Sequence, residues 1–433
     1  MKKSRIISLL TGMTLTVGLL AGCGGQKTTD VDKKGEAVTI QFMETLTSPE
    51  RTEYVKELIS DFESKNPDIK VELISAPWEQ AHDKIITQIA SKKLPDVVEM
   101  ADNWLAEMGA TGAIEDLGPY VDKWEHKDDI TPSSLKLGRQ YKDTQYILPY
   151  GLFIRGMFYR ADWLEESNLP VPKTYDELFQ TAKKITDSSS NKYGYSFRGG
   201  KGAWTQLINI LMSQAGKDNY FDENGKSVLR DPKAIQAFKD YCELYTDAAP
   251  KDALNWGYNE KVNAFTSNVT GFLMQDSEVI GSCQKTMDEG TYKTAPLPYG
   301  KDGNRYLISG NIGFSMFSTS KNKEASWKFI SYMMNPEINA DWNIRTNTMP
   351  VMKAALENEY FSKGDIKAWT DTAADPKTVF FTHPQFLPEW GEFFANESVA
   401  GLQNYLLGKK TAEETMNEWA DSLEDAYEKY NSK

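Results

Sequence analysis

Asp102-Asn103-Trp104 follows a short apolar run, Asp96–Met100, and combines what is needed to hold a polyhydroxylated molecule. A carboxylate and an amide can exchange hydrogen bonds with hydroxyls, and an indole can cover the apolar C–H face of a ring. Each such hydrogen bond matters, because a buried polar group left without its partner costs about 1–3 kcal/mol. Trp78 and Glu79, just after a second run at Ile69–Ile74, offer the same combination. Catalytic chemistry has no comparable pattern. His82, His126 and His383 are scattered, so no histidine triad or metal cluster can be built from spacing. Hydrolysis by two carboxylates needs a pair at a set separation, and no recognised signature picks one from the 62 acidic residues. Asp222-Glu223-Asn224-Gly225 lacks the later acidic ligand of a calcium loop. Gly199-Gly200-Lys201-Gly202 lacks the Gly-Lys-Ser/Thr ending of a nucleotide phosphate cradle. Neither a metal nor a cofactor is expected.

The composition agrees with ligand binding by stacking. There are 11 Trp, 21 Tyr and 19 Phe, and a surplus of Trp and Tyr in an acidic chain suggests faces for ring stacking. Lys2, Lys3 and Arg5, then an uncharged stretch Ile6–Leu20, then Leu20-Ala21-Gly22-Cys23 describe a secretory signal peptide. The ending looks like a lipobox, which implies removal of residues 1–22 and acylation of Cys23 on the extracytoplasmic face of a bacterial cell membrane. Residues 23–36 are polar and read as a flexible tether. The formal charge of −13 becomes −16 once the three basic residues leave with the signal peptide. That excludes nucleic acid as a partner, since such binding rests on basic patches against phosphate. The two remaining cysteines, Cys242 and Cys283, could pair in an oxidising exterior, but two small buried hydrophobes is the preferred reading.

The elements that must position these residues are α/β. Ala37–Met43, Ile69–Ile74 and Leu94–Met100 read as strands, separated by helices capped at Ser48-Pro49 and running over Ala81–Ser91. Strand alternating with helix is the pattern of a parallel sheet. Beyond it, Gln145–Pro149, Gly156–Tyr159, Thr270–Met274 and Asn311–Phe317 read as strands, and Tyr220–Leu229 as a hairpin turning at Asn224-Gly225. Thr174 with Glu177 and Thr411 with Glu414 form capping boxes, the second opening a helix to Tyr430. Helices are also expected over Ala203–Gln214 and Lys321–Met334. About 400 residues exceed one core, so two lobes are expected.

The order of several landmarks resembles the solute-binding proteins of ABC importers, in the oligosaccharide-binding, maltose-binding-like family. These are Phe62–Val71, Leu94-Pro95-Asp96-Val97-Val98, Gly112–Leu117, Tyr146–Tyr150 with Met157–Arg160, Pro172–Leu178, Ala295–Gly300, Gly310 and Ser318–Ile330. The resemblance covers essentially the whole chain after the signal peptide. It implies a two-lobed, type II periplasmic-binding-protein-like fold with discontinuous lobes joined by a hinge: 37–148 plus 308–348, and 149–307 plus 349–433. It further implies a monomeric, non-enzymatic receptor that closes on a carbohydrate and docks on an importer permease. Another solute, such as a sugar phosphate or polyol, is the alternative, followed by a lipid-anchored glycoside hydrolase.

Cleft residues should sit at the C-terminal ends of strands. By resemblance Glu44-Thr45 is a sugar-contacting pair, Trp204 a stacking residue and Asp276 a cleft residue. Tyr150 and Arg155 lie at the expected hinge. Asn311, Trp342 and Arg345 join Trp78, Asp102, Asn103 and Trp104 as further candidates.

Overall fold

Residues 37–432 are described by a computed structural model; the expected signal peptide, the expected acylation site Cys23 and the expected tether lie outside the described residues. The first strand, β1 (Val38–Glu44), pairs in parallel with β2 (Ile69–Ser75) and β3 (Val97–Ala101). Helix Pro49–Lys65 joins β1 to β2. Ser48 Oγ accepts from the Arg51 N–H at 3.2 Å, and Pro49 occupies the first helical position, where its missing N–H is harmless. Tyr54, Val55, Leu58, Ile59 and Phe62 recur at helical spacing and are buried against the sheet. Each such burial is worth about 1.5–3 kcal/mol.

Two sheets organise the chain. In chain order the remaining strands are β4 (Leu148–Ile154), β5 (Gly156–Arg160), β6 (Tyr193–Tyr195), β7 (Thr270–Gln275), β8 (Tyr292–Pro296), β9 (Arg305–Met316), β10 (Met349–Pro350) and β11 (Thr378–Phe381). The larger sheet has the order β10-β4-β9-β3-β1-β2, with β11 pairing the start of β9; the smaller is β6-β7-β5-β8. The parallel β1, β2 and β3 are as the sequence pattern predicts. The long β9 is antiparallel to both β3 and β4, so the larger sheet is mixed.

The chain passes between sheets in very few residues. β4 ends at Ile154 in the larger sheet and β5 begins at Gly156 in the smaller, leaving Arg155 alone between them. Gly156 is required there: a Cβ would stand 2.5 Å from the Trp369 ring, whose indole N–H donates to the Ile154 carbonyl. The strand at 148–154 therefore stays with the first sheet beyond residue 148. Likewise β10 pairs with β4, and Val351, Met352 and Ala355 pack in the first core, beyond the 348 boundary expected.

Elsewhere the expected helices form. Both capping boxes close, at Thr174 with Glu177 and at Thr411 with Glu414. The expected hairpin at Tyr220–Leu229 is instead a loop closed by one bridge, Phe221 to Ser227. Asp222 Oδ1 accepts from the backbone N–H of both Asn224 and Lys226 at 2.8 Å, and this side-chain turn replaces a strand ladder. Cys242 and Cys283 are free and buried.

Candidate functional site

A cavity of about 670 Å³ lies where the two sheets' carboxyl-end loops meet. From the larger sheet come Trp78, Asp102, Asn103, Phe153 and Asn311; from the smaller come Arg198, Tyr258, Gln275, Asp276 and Glu278, with Arg155 at the crossing. The volume falls within the usual range of small-molecule sites.

The larger-sheet wall is set by register. Ala101 of β3 faces Ile312 of β9, which places Asp102 beside Asn311 although 209 residues separate them. Asp102 Oδ2 accepts from the Asn311 backbone N–H at 2.7 Å and from its Nδ2 at 3.0 Å. With Nδ2 committed, Asn311 Oδ1 is left buried and has no hydrogen-bond partner among the described residues. Asn103 Oδ1 is likewise buried and unpartnered. Burial pushes the Asp102 carboxyl up to about 7, with the Asn311 N–H pulling the other way.

The smaller-sheet wall repeats the arrangement. Gln275 Nε2 donates to Glu278 Oε1 at 2.8 Å, while Gln275 Oε1 and Glu278 Oε2 are buried and have no hydrogen-bond partner among the described residues. Burial, with the charge of Asp276 nearby, raises Glu278 to about 7. Asp276 is paired with Arg155, yet burial still raises its carboxyl. Behind this wall Lys261 is fully buried, donates to the Met274 carbonyl at 3.0 Å, and is driven well below the usual ammonium range by desolvation. His383 also lines the cavity; burial holds it down at about 3, so it stays neutral.

The two halves touch around the cavity. Glu79 Oε1 accepts from the Tyr258 backbone N–H at 2.8 Å. Lys201 pairs with Asp83, and Lys285 with Glu50.

The sequence-selected residues divide into two groups. Trp78, Asp102, Asn103, Arg155, Asp276, Asn311 and Arg345 line the cavity. Arg345 is half-exposed at its mouth and held by Glu57 and Asp341 at 3.1 Å. Glu44, Thr45, Trp104, Tyr150, Trp204 and Trp342 do not line it. Glu44 accepts from Thr52 at 2.9 Å and Ser75 at 2.5 Å behind the wall. Thr45 donates its N–H to Glu99 Oε2 at 2.8 Å, and Tyr150 donates to Glu99 Oε1 at 2.5 Å. Arg51 pairs with the same Glu99 and lies 4.3 Å over the Trp342 ring, so these residues position Arg51, itself a lining residue. Trp104 is buried behind Trp78, stacked at 4.9 Å.

Trp204 requires a correction. It is 1 % exposed and packs edge-on against Trp390, Phe393 and Trp419 in the core of the smaller-sheet half. It opens helix Trp204–Ala215, all of whose residues are buried, so its side chain points into packing rather than solvent. Its link to the cavity is indirect: Nε1–H donates to Tyr220 Oη at 3.0 Å, and Tyr220 hydrogen-bonds His383 Nδ1 at 2.8 Å.

Arg198, Glu278 and His383 also line the cavity, and the sequence pattern does not single them out. Arg198 directly precedes the glycine-rich turn, and Glu278 stands two residues after Asp276; position relative to those features was the available signal. His383 lies in a loop with no such signal.

This constellation, a two-sheet frame with a polar cavity at the strand ends, coincides with the bacterial extracellular solute-binding protein family, whose model matches residues 48–340. The chain belongs to that family. Among its relatives, the maltotriose-binding protein of Pyrococcus abyssi is 25 % identical over 322 residues, covering 72 % of this chain and 66 % of that one. The fold of this solute-binding protein is that of an ABC transporter solute-binding protein from Thermotoga lettingae bound with alpha-D-tagatose. The TM-score is 0.81, with 22 % identity, 90 % of this chain covered and 100 % of that one. Maltose-bound MalE3 of T. maritima gives 0.80, with 22 % identity and coverage of 89 % and 99 %. The fold is thus the two-lobed one of the maltose-binding type.

Proposed function

We propose that the protein captures a carbohydrate of short-oligosaccharide or sugar-alcohol size in this cavity and delivers it to an ABC importer permease. The observation that carries the reading is the set of unpartnered buried acceptors on both walls: Asn103 Oδ1 and Asn311 Oδ1 on one, Gln275 Oε1 and Glu278 Oε2 on the other. Buried acceptors without donors are costly, and a ligand with hydroxyls on both faces relieves them together. Trp78 and Phe153 supply apolar walls for ring faces. The named ligands of its relatives, maltotriose, maltose and tagatose, belong to the same chemical class. The halves already touch through Glu79 and Tyr258, and a ligand gripped by both walls holds them in that closed form. Acylation at Cys23, with residues 23–36 as tether, keeps the receptor near its permease and raises its effective concentration there. The role is binding without turnover, by a monomer.

Thermal shift and calorimetry of residues 24–433 against neutral oligosaccharides, sugar alcohols, uronates and sugar phosphates test the reading. A rise in melting temperature with a 1:1 heat for a neutral carbohydrate is expected. Binding confined to a phosphorylated ligand, or steady release of cleaved product, would overturn it.

A further inference from the structure

Arg198 is a charged residue of the cavity wall that the protein buries without fully satisfying its hydrogen bonds. Its side chain is 2 % exposed. Nε donates to the Lys201 carbonyl at 2.6 Å, while Nη2 is buried and makes no hydrogen bond among the described residues. The nearest carboxylate, Glu79 Oε1, is 3.8 Å away and already accepts from the Tyr258 N–H. Burial lowers the guanidinium to about 10, so it remains charged at neutral pH.

The glycine-rich turn explains how the group is held. Gly202 has φ +80, and a Cβ there would stand 2.3 Å from Arg198 Nη2 and 2.5 Å from Cζ. Gly199 and Gly200 abut the Leu254 and Asn255 carbonyls, where a Cβ would be at 2.4 and 2.7 Å. The turn is therefore a cradle for a side chain of this protein: it packs closest on Nη2 and Cζ and so holds the guanidinium of a residue that lines the cavity. A fixed, desolvated cation with an unused donor is costly to a fold unless something accepts from it.

We propose that Arg198 is a specificity-determining residue whose guanidinium donates to an oxygen of the bound solute. The proposal rests on the binding role proposed above. The companions of Arg198 on this wall narrow the solute. Arg155 is neutralised by Asp276, and Glu278 Oε2 and Gln275 Oε1 wait for donors. A hydroxyl both accepts and donates, so it serves the cation and the acceptors at once. A charged solute meets both signs at this wall, Arg198 beside Glu79 and Glu278, so what one group attracts another repels, whereas a neutral hydroxyl serves both. The solute is thus an uncharged, hydroxyl-bearing one at this end.

The test uses Arg198→Met, which keeps the stem and removes the charge, and Arg198→Lys, which keeps the charge and removes the fork. Wild type and variants are titrated with maltotriose, mannitol, glucosamine and glucuronate, and their ligand-free melting temperatures are compared. For a neutral probe that wild type binds, affinity should fall at least tenfold in both variants, while ligand-free Arg198→Met melts no lower than wild type. Wild-type affinity in Arg198→Met, or tighter wild-type binding of glucosamine or glucuronate than of the neutral probes, would overturn the proposal. A ligand-free Arg198→Met that melts far below wild type would also overturn it, by making Arg198 structural. If wild type binds none of the four probes, the binding role itself is in question, and the ligand-free comparison still decides whether the guanidinium is spared from structural duty.

Discussion

Asn311 donates twice to one oxygen of Asp102, through its backbone N–H at 2.7 Å and its side-chain Nδ2 at 3.0 Å. The pair commits the amide's NH₂ to Asp102 and leaves its carbonyl oxygen buried without a hydrogen-bond partner among the described residues. Gln275 is locked in the same sense on the opposite wall by Glu278 Oε1. Two amides, each tied down by a carboxylate, give the cavity a fixed polarity before any ligand enters, which lowers the ordering cost of binding.

Replacing Asn311 with Ala should lower affinity for a bound neutral carbohydrate at least tenfold and destabilise the ligand-free fold by only about 1 kcal/mol, since the backbone donor to Asp102 remains. Calorimetry and urea unfolding measure the two effects separately.

Ligand-free stability should fall as pH rises from about 4 to 7 through Asp102. Its carboxyl titrates near 7 in the folded chain and near the ordinary value when unfolded, so the folded state binds more protons in that window. Glu278 acts in the same direction. His383, held at about 3, acts oppositely below its ordinary range. The difference between wild type and Asp102→Asn therefore isolates the contribution. Melting curves at pH 5 and pH 7 should show a smaller drop in the variant.

Trp204→Ala should destabilise the protein by about 3–5 kcal/mol, the usual penalty for emptying a buried indole site. Any loss of affinity should be accounted for by the unfolded fraction. Guanidinium unfolding beside calorimetry on the folded fraction distinguishes this from loss of a ligand contact.

Glu79→Ala removes the acceptor for the Tyr258 N–H across the cavity mouth. Ligand dissociation, followed by surface plasmon resonance, should accelerate severalfold with little change in association. Glu50→Gln breaks only an exposed pair with Lys285 and should leave both rates near wild type.

Cys242 and Cys283 should resist a thiol reagent in the native state and react once denatured. Both are free and buried, and burial raises both thiols far above their ordinary range, so little thiolate is present to attack.

Much of the frame was legible in the sequence because local signals decide it. Ser48-Pro49, Thr174 with Glu177 and Thr411 with Glu414 each carry their own cap chemistry, and all three start helices. The site was legible by strand end but not by direction. Glu44 and Thr45 end β1 as anticipated, yet the wall is formed by Leu46, Thr47 and Ser48 just beyond. A shift of one or two residues turns a side chain from the cavity to the layer behind it. Trp204 shows the second limit: which side of a wholly buried helix faces a cleft is set by the C-terminal helices packed on it, hundreds of residues later in the chain. Arg198 shows the third: the glycines beside it lack the ending of a phosphate cradle, and nothing local tells that Gly202 packs on a side chain of the same chain.

Trp78 lies on the cavity wall with Trp104 stacked behind it at 4.9 Å and His82 at 5.8 Å from Trp104. Two coupled indoles, one wetted by the cavity and one dry, make an optical gauge. A solute that covers Trp78 should strip water from one ring and blue-shift its emission. Occupancy of this receptor can then be read by light from its own residues, without a label.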